Sequence, residues 1–249
     1  MEATTKLLLT RLLILGTTAA ILVGCGASNQ VVSSFRHHDP QACVERALAG
    51  HHDRKLLSMS RDHFEASCAA GDMAACSTLG LMNERGLATA LDPVKAHHLY
   101  ELSCAANNGG GCEHLGMMLI KGGRMAPAPD RGVKLLTKAC SLGKARACHV
   151  LADLHRTGGV VPKSDARATK LYGTGCELGY AASCYALGSM NEAMDIVKAE
   201  MLYQQACRNG YDAGCARLDA LFVERRTRRP PIPQMPECVD GRCAAVAAR

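Results

Sequence analysis

The residues of this 249-residue chain best able to do chemistry are its fourteen cysteines and ten histidines. Ten of the cysteines fall into one frame, a pair with seven residues between: Cys68 and Cys76, Cys104 and Cys112, Cys140 and Cys148, Cys176 and Cys184, Cys207 and Cys215. Such a pair could serve as a redox couple, as zinc ligands or as a structural disulfide. No C-x-x-C, H-E-x-x-H or C-x-x-C-H occurs, so the spacings typical of redox, zinc-protease and haem sites are missing. Histidines stand adjacent at His37-His38, His51-His52 and His97-His98, or singly at His63, His114, His149 and His155. Neighbouring residues of a helix point in different directions, so these pairs offer no chelating face. The reading therefore assigns no metal and no cofactor. Zinc on the cysteine pairs is the alternative to disulfides.

A serine hydrolase of the β-lactamase type would need Ser-x-x-Lys together with S-D-N and K-T-G. One Ser-x-x-Lys is present, Ser141 to Lys144, but neither companion element is. It falls in a predicted turn, where a serine lacks both a helix start and a buried lysine of lowered pKa. No catalytic residue is assigned.

The frame also fixes the elements around it. First cysteines lie 36, 36, 36 and 31 residues apart, and a fixed period of that size is the mark of a repeat solenoid. Counting back from the first cysteine, Ala96, Gly132, Ala168 and Ala199 stand at −8, and Leu99, Leu135, Leu171 and Leu202 at −5. Tyr100, Leu136, Tyr172 and Tyr203 stand at −4, and Ser103, Ala139, Gly175 and Ala206 at −1. These offsets share one face of an α-helix and alternate bulky with small residues. Counting forward from the second cysteine, leucine recurs at +3, Gly80, Gly116, Ala152 and Gly188 stand at +4, and Met82, Met118 and Met190 are among the +6 residues.

Each repeat is thus two helices. They are joined by a tight turn inside the cysteine frame, around Gly71, Asn107, Gly143, Gly179 or Gly210. A longer turn follows each second helix. Gly86, Gly122 and Gly158 are expected at its start as helix C′ residues in the left-handed conformation. Cysteines on the last turn of one helix and the first turn of the next can meet across the hairpin, and each bridge closes a nine-residue ring. The fold class expected is all-α, an α-solenoid of αα-hairpin repeats stapled by C-x7-C disulfides over residues 41–224. The fourth unit lacks five residues, which shortens its longer turn around Asn191 to Ile196.

Outside the repeats, residues 1–24 carry Lys6, Arg11 and a short apolar run ending Leu22-Val23-Gly24-Cys25. This resembles the bacterial lipoprotein box. The resemblance implies that Cys25 is acylated and becomes the mature N-terminus, and with Gly26 following it implies outer-membrane sorting. Residues 25–40 read as a polar tether, and 225–249 as a tail in which Arg225 to Arg229 run into Pro230-Pro231 and Cys238 and Cys243 close a small loop. Cys43 is left over by that assignment, as a free thiol, an intermolecular link or a cysteine that exchanges partners with the tail. The net charge of +6 is mild and spread along the chain, so nucleic acid is not an expected partner.

Leu79-Gly80, Gly86, Asp92, Lys95-Ala96, Tyr100 and Cys104-Ala105, repeated as Leu187-Gly188, Asp195, Lys198-Ala199, Tyr203 and Ala206-Cys207, resemble the Sel-1-like repeat family, a relative of the tetratricopeptide arrays. The C-x7-C staples are similar to its secreted, cysteine-rich branch. The resemblance implies an adaptor or binding scaffold with a protein or peptidoglycan-related partner. It also admits weak β-lactamase or penicillin-binding activity. Positions +1, +2 and +5 after the second cysteine vary most between repeats, so His114, His149, Asp153 and Arg217 are the candidate groove residues.

Overall fold

In the computed structural model, residues 40–50, 53–122, 126–227, 238–239 and 242–243 are described. Among them the chain forms eleven helices: α1 Pro40–Leu48, α2 Arg54–Ala69, α3 Met73–Arg85, α4 Pro93–Ala105, α5 Gly109–Lys121, α6 Pro129–Ser141, α7 Ala145–Thr157, α8 Asp165–Glu177, α9 Ala181–Asn191, α10 Ile196–Arg208 and α11 Asp212–Thr227. Two two-residue strands, Cys238–Val239 and Arg242–Cys243, pair antiparallel near the end. The all-α solenoid of hairpins is borne out, and its last helix runs three residues past Glu224. The chain divides into two compact units, residues 1–138 and 139–249, with the boundary inside α6.

Helix starts follow from their caps. The carboxylates of Asp53, Asp72 and Asp92 each accept from two backbone N–H groups of the following first turn, and Asp195 accepts from that of Lys198. Asn108 and Ser164 cap α5 and α8 in the same way. These side chains satisfy donors that a helix start would otherwise leave open. The tight turns carry positive φ at Gly71, Asn107, Gly143, Gly179 and Gly210, so asparagine takes the glycine's place in the second frame as expected. Gly86 is left-handed at φ 66, ψ 33. Gly122 and Gly158 instead pair positive φ with ψ −124 and −164, a region reserved for glycine.

Each of the five frames is a disulfide, and none is left as a dithiol able to take zinc. Cys68 is bonded to Cys76, Cys104 to Cys112, Cys140 to Cys148, Cys176 to Cys184 and Cys207 to Cys215, with Cα atoms between 4.5 and 4.8 Å apart. Cys76, Cys112, Cys148 and Cys184 are wholly buried where the second helix starts, and Cys215 is half-buried. Burial keeps an attacking thiolate away from these sulfurs, so the bonds are structural staples.

Small residues let the two helices of a hairpin close on one another. A Cβ on Gly111 would lie 2.6 Å from Ser103 Cβ, one on Gly175 2.4 Å from Ser183 Oγ, and one on Gly214 2.8 Å from Ala206 Cβ. The seam therefore pairs position −1 with the residue before the second cysteine, and one partner of each of these three pairs is glycine.

Consecutive hairpins pack through the +4 glycines. Gly80 lies under the Tyr100 ring, Gly116 under Leu136 and Gly188 under Tyr203, with notional Cβ contacts of 2.6, 2.9 and 2.8 Å. Tyr100, Tyr172, Tyr203 and Leu136 are fully buried. In the first unit, Val44 and Ala47 of α1 pack with Leu57, Phe64, Leu79, Met82 and Leu99. Ser60, at the −8 position of the first frame where later repeats carry alanine or glycine, is wholly buried and donates to the Leu56 carbonyl.

Of the options for Cys43, the free thiol is excluded: it is buried at 2% exposure in α1 and disulfide-bonded, and its partner is none of the ten staple cysteines. The signal peptide, Cys25, the tether, most of the tail and the side chains of Cys238 and Cys243 lie outside the described residues.

Candidate functional site

Each buried tyrosine at −4 carries its hydroxyl to the end of the preceding second helix, where a charged residue meets it. Tyr100 donates to Glu84 at 2.7 Å and stacks on His114, ring centroids 5.1 Å apart. Tyr203 donates to Glu192 at 2.5 Å. Tyr172 donates to Asp153 and accepts from Arg156 Nε at 3.1 Å. Burial, reinforced by these carboxylates, raises all three tyrosines, Tyr172 to about 12. They are protonated donors and cannot serve as bases near neutral pH.

The candidate groove residues sit among these contacts. His114 lies over Tyr100 in the first unit. In the second unit, His149 and Asp153 come together one helical turn apart, His149 Nε2 lying 3.4 Å from Asp153 Oδ2. His149 Nδ1 shares a 3.1 Å hydrogen bond with Ser183 Oγ, and its ring lies against Tyr172 and Tyr180. Burial holds its imidazole below the ordinary 6.5, against the pull of Asp153. Arg217 grips Glu192 and Glu224, and its hydrogen bond, followed by that of Tyr203, holds Glu192 below the usual carboxylate range. Side-chain exposure is 18% for His149, 29% for Arg217 and 43% for Asp153, so Asp153 is the most open of the three.

Ser183, His149 and Asp153 contain the residue types of a hydrolytic triad, an arrangement missed by reading the sequence frame by frame. Ser183 is wholly buried at the hairpin seam beside Gly175. A nucleophile must reach its substrate, and this hydroxyl instead joins two hairpins. Ser141 and Lys144 lie where the frame predicts them, Ser141 ending α6 and Lys144 capping α7, both exposed. The acids at +8, Glu84 and Glu192, were also missed; a buried tyrosine needing an acceptor is the signal that points to them.

Among the described residues no group of three His, Cys, Asp or Glu converges as metal ligands, and no helix is long and apolar enough to cross a membrane. Five disulfides fit an exported, non-cytoplasmic protein.

The Sel1 repeat model matches residues 74–108, 111–144, 145–180 and 178–211, more than half of the chain. The chain belongs to the Sel1-repeat family. A comparison with curated proteins finds no match. Among solved structures, it is similar to a Sel1 repeat protein from Oxalobacter formigenes at 18% identity, over 77% of this chain and 81% of that one, with a TM-score of 0.65. It is similar at 20% identity to c5321, a protective antigen of uropathogenic Escherichia coli with an SLR fold, TM-score 0.63. That match takes in 75% of this chain and 42% of the antigen, so the chain spans less than half of it. The immunity protein Pa5087 of Pseudomonas aeruginosa is similar at 22% identity, over 70% of this chain and 67% of that one, TM-score 0.53. At these identities the likeness shows the fold. Sel1-repeat proteins are in general protein–protein interaction modules.

Proposed function

We propose that this Sel1-repeat chain is a lipid-anchored, periplasm-facing or outer-membrane scaffold that binds a protein or peptidoglycan-related partner. The observation that carries the reading is the recurring hairpin whose inner face is consumed by packing while its first helices keep polar, exposed outer positions, such as His98, Lys134 and Gln204. A surface that changes residue by residue on a constant frame suits recognition. His114, His149, Asp153 and Arg217 remain the candidate groove positions. In the layout we propose, residues 1–24 are the signal, 25–40 the tether, 41–224 the binding array and 225–249 the tail.

A photocrosslinker at Asp153, with a second at Lys170, tests binding. One partner captured from envelope extracts, then shown to bind the purified parent saturably, is the expected result. Absence of saturable binding overturns the reading, and nitrocefin turnover above background would move it to the hydrolase class. For the anchor, Cys25→Ser should release the protein from membranes; unchanged retention removes the lipid.

Cysteine count gives a second test. The five staples use ten of fourteen cysteines, which leaves Cys25, Cys43, Cys238 and Cys243. Peptide mapping of the bond at Cys43 therefore decides between two proposals: a bond to Cys25 overturns acylation, and one to the tail overturns a closed Cys238–Cys243 loop.

A further inference from the structure

Four longer turns begin and end at equivalent points. The chain leaves at the seventh residue after the second cysteine and returns to hydrogen-bond that residue's carbonyl. Asp92 N–H donates to Asn83, Ala128 to Leu119, Ser164 to His155 and Asp195 to Asn191, at 2.7–2.9 Å. Three of these excursions span nine residues and the last spans four. The five-residue deletion is thus confined to the turn, and both attachment points are kept.

In the first unit the full-length turn fills a slot. Leu87 is 7% exposed and packs with Leu57 and Met82, while Arg61 donates to the Ala88 carbonyl at 2.9 Å. Leu57 and Arg61 stand at −11 and −7 from Cys68, and Met82 and Asn83 at +6 and +7 from Cys76. The same offsets in the second unit give Asp165, Thr169, Met190 and Asn191. These four, with Arg156 and Met194, line a pocket of about 440 Å³. Met194 is 85% exposed beside it. The pocket is the slot that Leu87 occupies in the first unit, opened by the shortened turn.

Exposed cations flank the pocket, and Arg156 in its lining pairs with Asp153 at 3.5 Å. Arg167 and Lys170 each follow a lining position on α8, Lys198 lies in the first turn of α10 four residues after Met194, and all three are exposed. Of the nearby acids, Glu192 is held by Arg217 and Asp195 caps Lys198. Asp165 lines the pocket itself.

We infer that this slot is a peptide-binding subsite that takes the leucine side chain of an extended partner segment flanked by acidic residues. The leucine stands in for Leu87, the guanidinium of Arg156 serves the partner backbone as Arg61 serves Ala88, and the acidic flanks meet Arg167, Lys170 and Lys198. The inference rests on the scaffold reading and gives it a location.

The probe is acetyl-Asp-Glu-Gly-Leu-Ala-Asp-amide, titrated into the full-length protein carrying methyl-labelled methionine and followed by NMR. The Met190 and Met194 methyl signals should shift saturably, and the shift should weaken with salt. Replacing the peptide leucine with aspartate should weaken binding about tenfold or more, the scale of one buried leucine. Inserting Gly-Leu-Ala-Thr-Ala, a copy of residues 86–90, between Ala193 and Met194 restores the turn and should abolish binding with the helical circular dichroism retained. Should that insertion fail to fold, Thr169→Arg, which returns the residue found at Arg61, should weaken binding instead. Methionine shifts that never move at millimolar peptide, or binding unchanged in both variants, overturn the inference. An insertion variant that still binds the crosslinked partner with unchanged affinity also overturns it, and leaves the scaffold reading standing.

Discussion

A buried tyrosine hydroxyl is tolerable only with an acceptor, and Tyr100, Tyr172 and Tyr203 solve this with an acid from the preceding hairpin. Tyr100→Phe leaves Glu84 without its donor in a half-buried position. Urea unfolding should show a loss of about 1–3 kcal/mol, larger than that for Tyr211→Phe at a half-buried position. His149 gives a pH signature. Its folded pKa lies below the ordinary 6.5 because burial penalises the imidazolium. Stability from this group is therefore full above 6.5 and falls as the pH drops below it, because the unfolded chain then takes up the proton first. Between about pH 7.5 and pH 5.5 the melting temperature should fall more for the parent than for His149→Gln. Asp153, Arg146 and Arg156 act on this histidine from its own helix and Ser183, Tyr172 and Tyr180 from its neighbours. Glu101 and Glu192, both held below 4.5, titrate beneath that window. The ridge of tyrosines at −4 was legible in the sequence as a helix face. Their partners at +8 and +5 were not, because periodicity marks which side of a helix is buried and is silent on which polar atom ends beside which.

At the scale of the element, two glycines separate packing from propensity. Gly188 faces the Tyr203 ring, and Gly188→Ala should cost about 1–3 kcal/mol in thermal or urea unfolding, since a well-packed seam must move to admit the methyl. Gly173 lies mid-helix in α8 with nothing within 4 Å of a notional Cβ, so Gly173→Ala should stabilise by about 0.5–1 kcal/mol. Equal effects at the two sites would show that close approach of the hairpins is unimportant. The hairpin, its turn glycine and its staple were all readable, because each depends on residues near in sequence and repeats five times. The slot beside Met190 was only half readable. A five-residue gap announces a shorter turn, but only the first unit's Leu87 reveals that the missing turn has a side chain to place. The groove was read from variability alone, and variability does not distinguish a residue facing a partner from one such as Arg217, which adapts to its own neighbours Glu192 and Glu224.

For the whole molecule, repeats make stability a sum of local terms with interfaces between neighbours. Each staple closes a nine-residue ring and contributes about 2.5 kcal/mol in the chain-entropy view. Reduction should accordingly lower the melting temperature strongly and broaden the transition; a sharp, unshifted melt in excess dithiothreitol would show that helix packing suffices alone. The rings have a further, mechanical consequence. A bonded pair carries tension directly from one helix to the next, so a pulling force cannot extend the residues inside it. When an oxidised chain is stretched, contour is released between staples, for example the 28 residues from Cys76 to Cys104, or about 100 Å at ~3.5 Å per residue. Reduction should lengthen each full release by about 23 Å, the span hidden by one ring less its Cα separation of 4.7 Å. The tight turn carrying Gly71, Asn107, Gly143, Gly179 or Gly210 is thus bypassed under load, and the longer turns set where the chain yields.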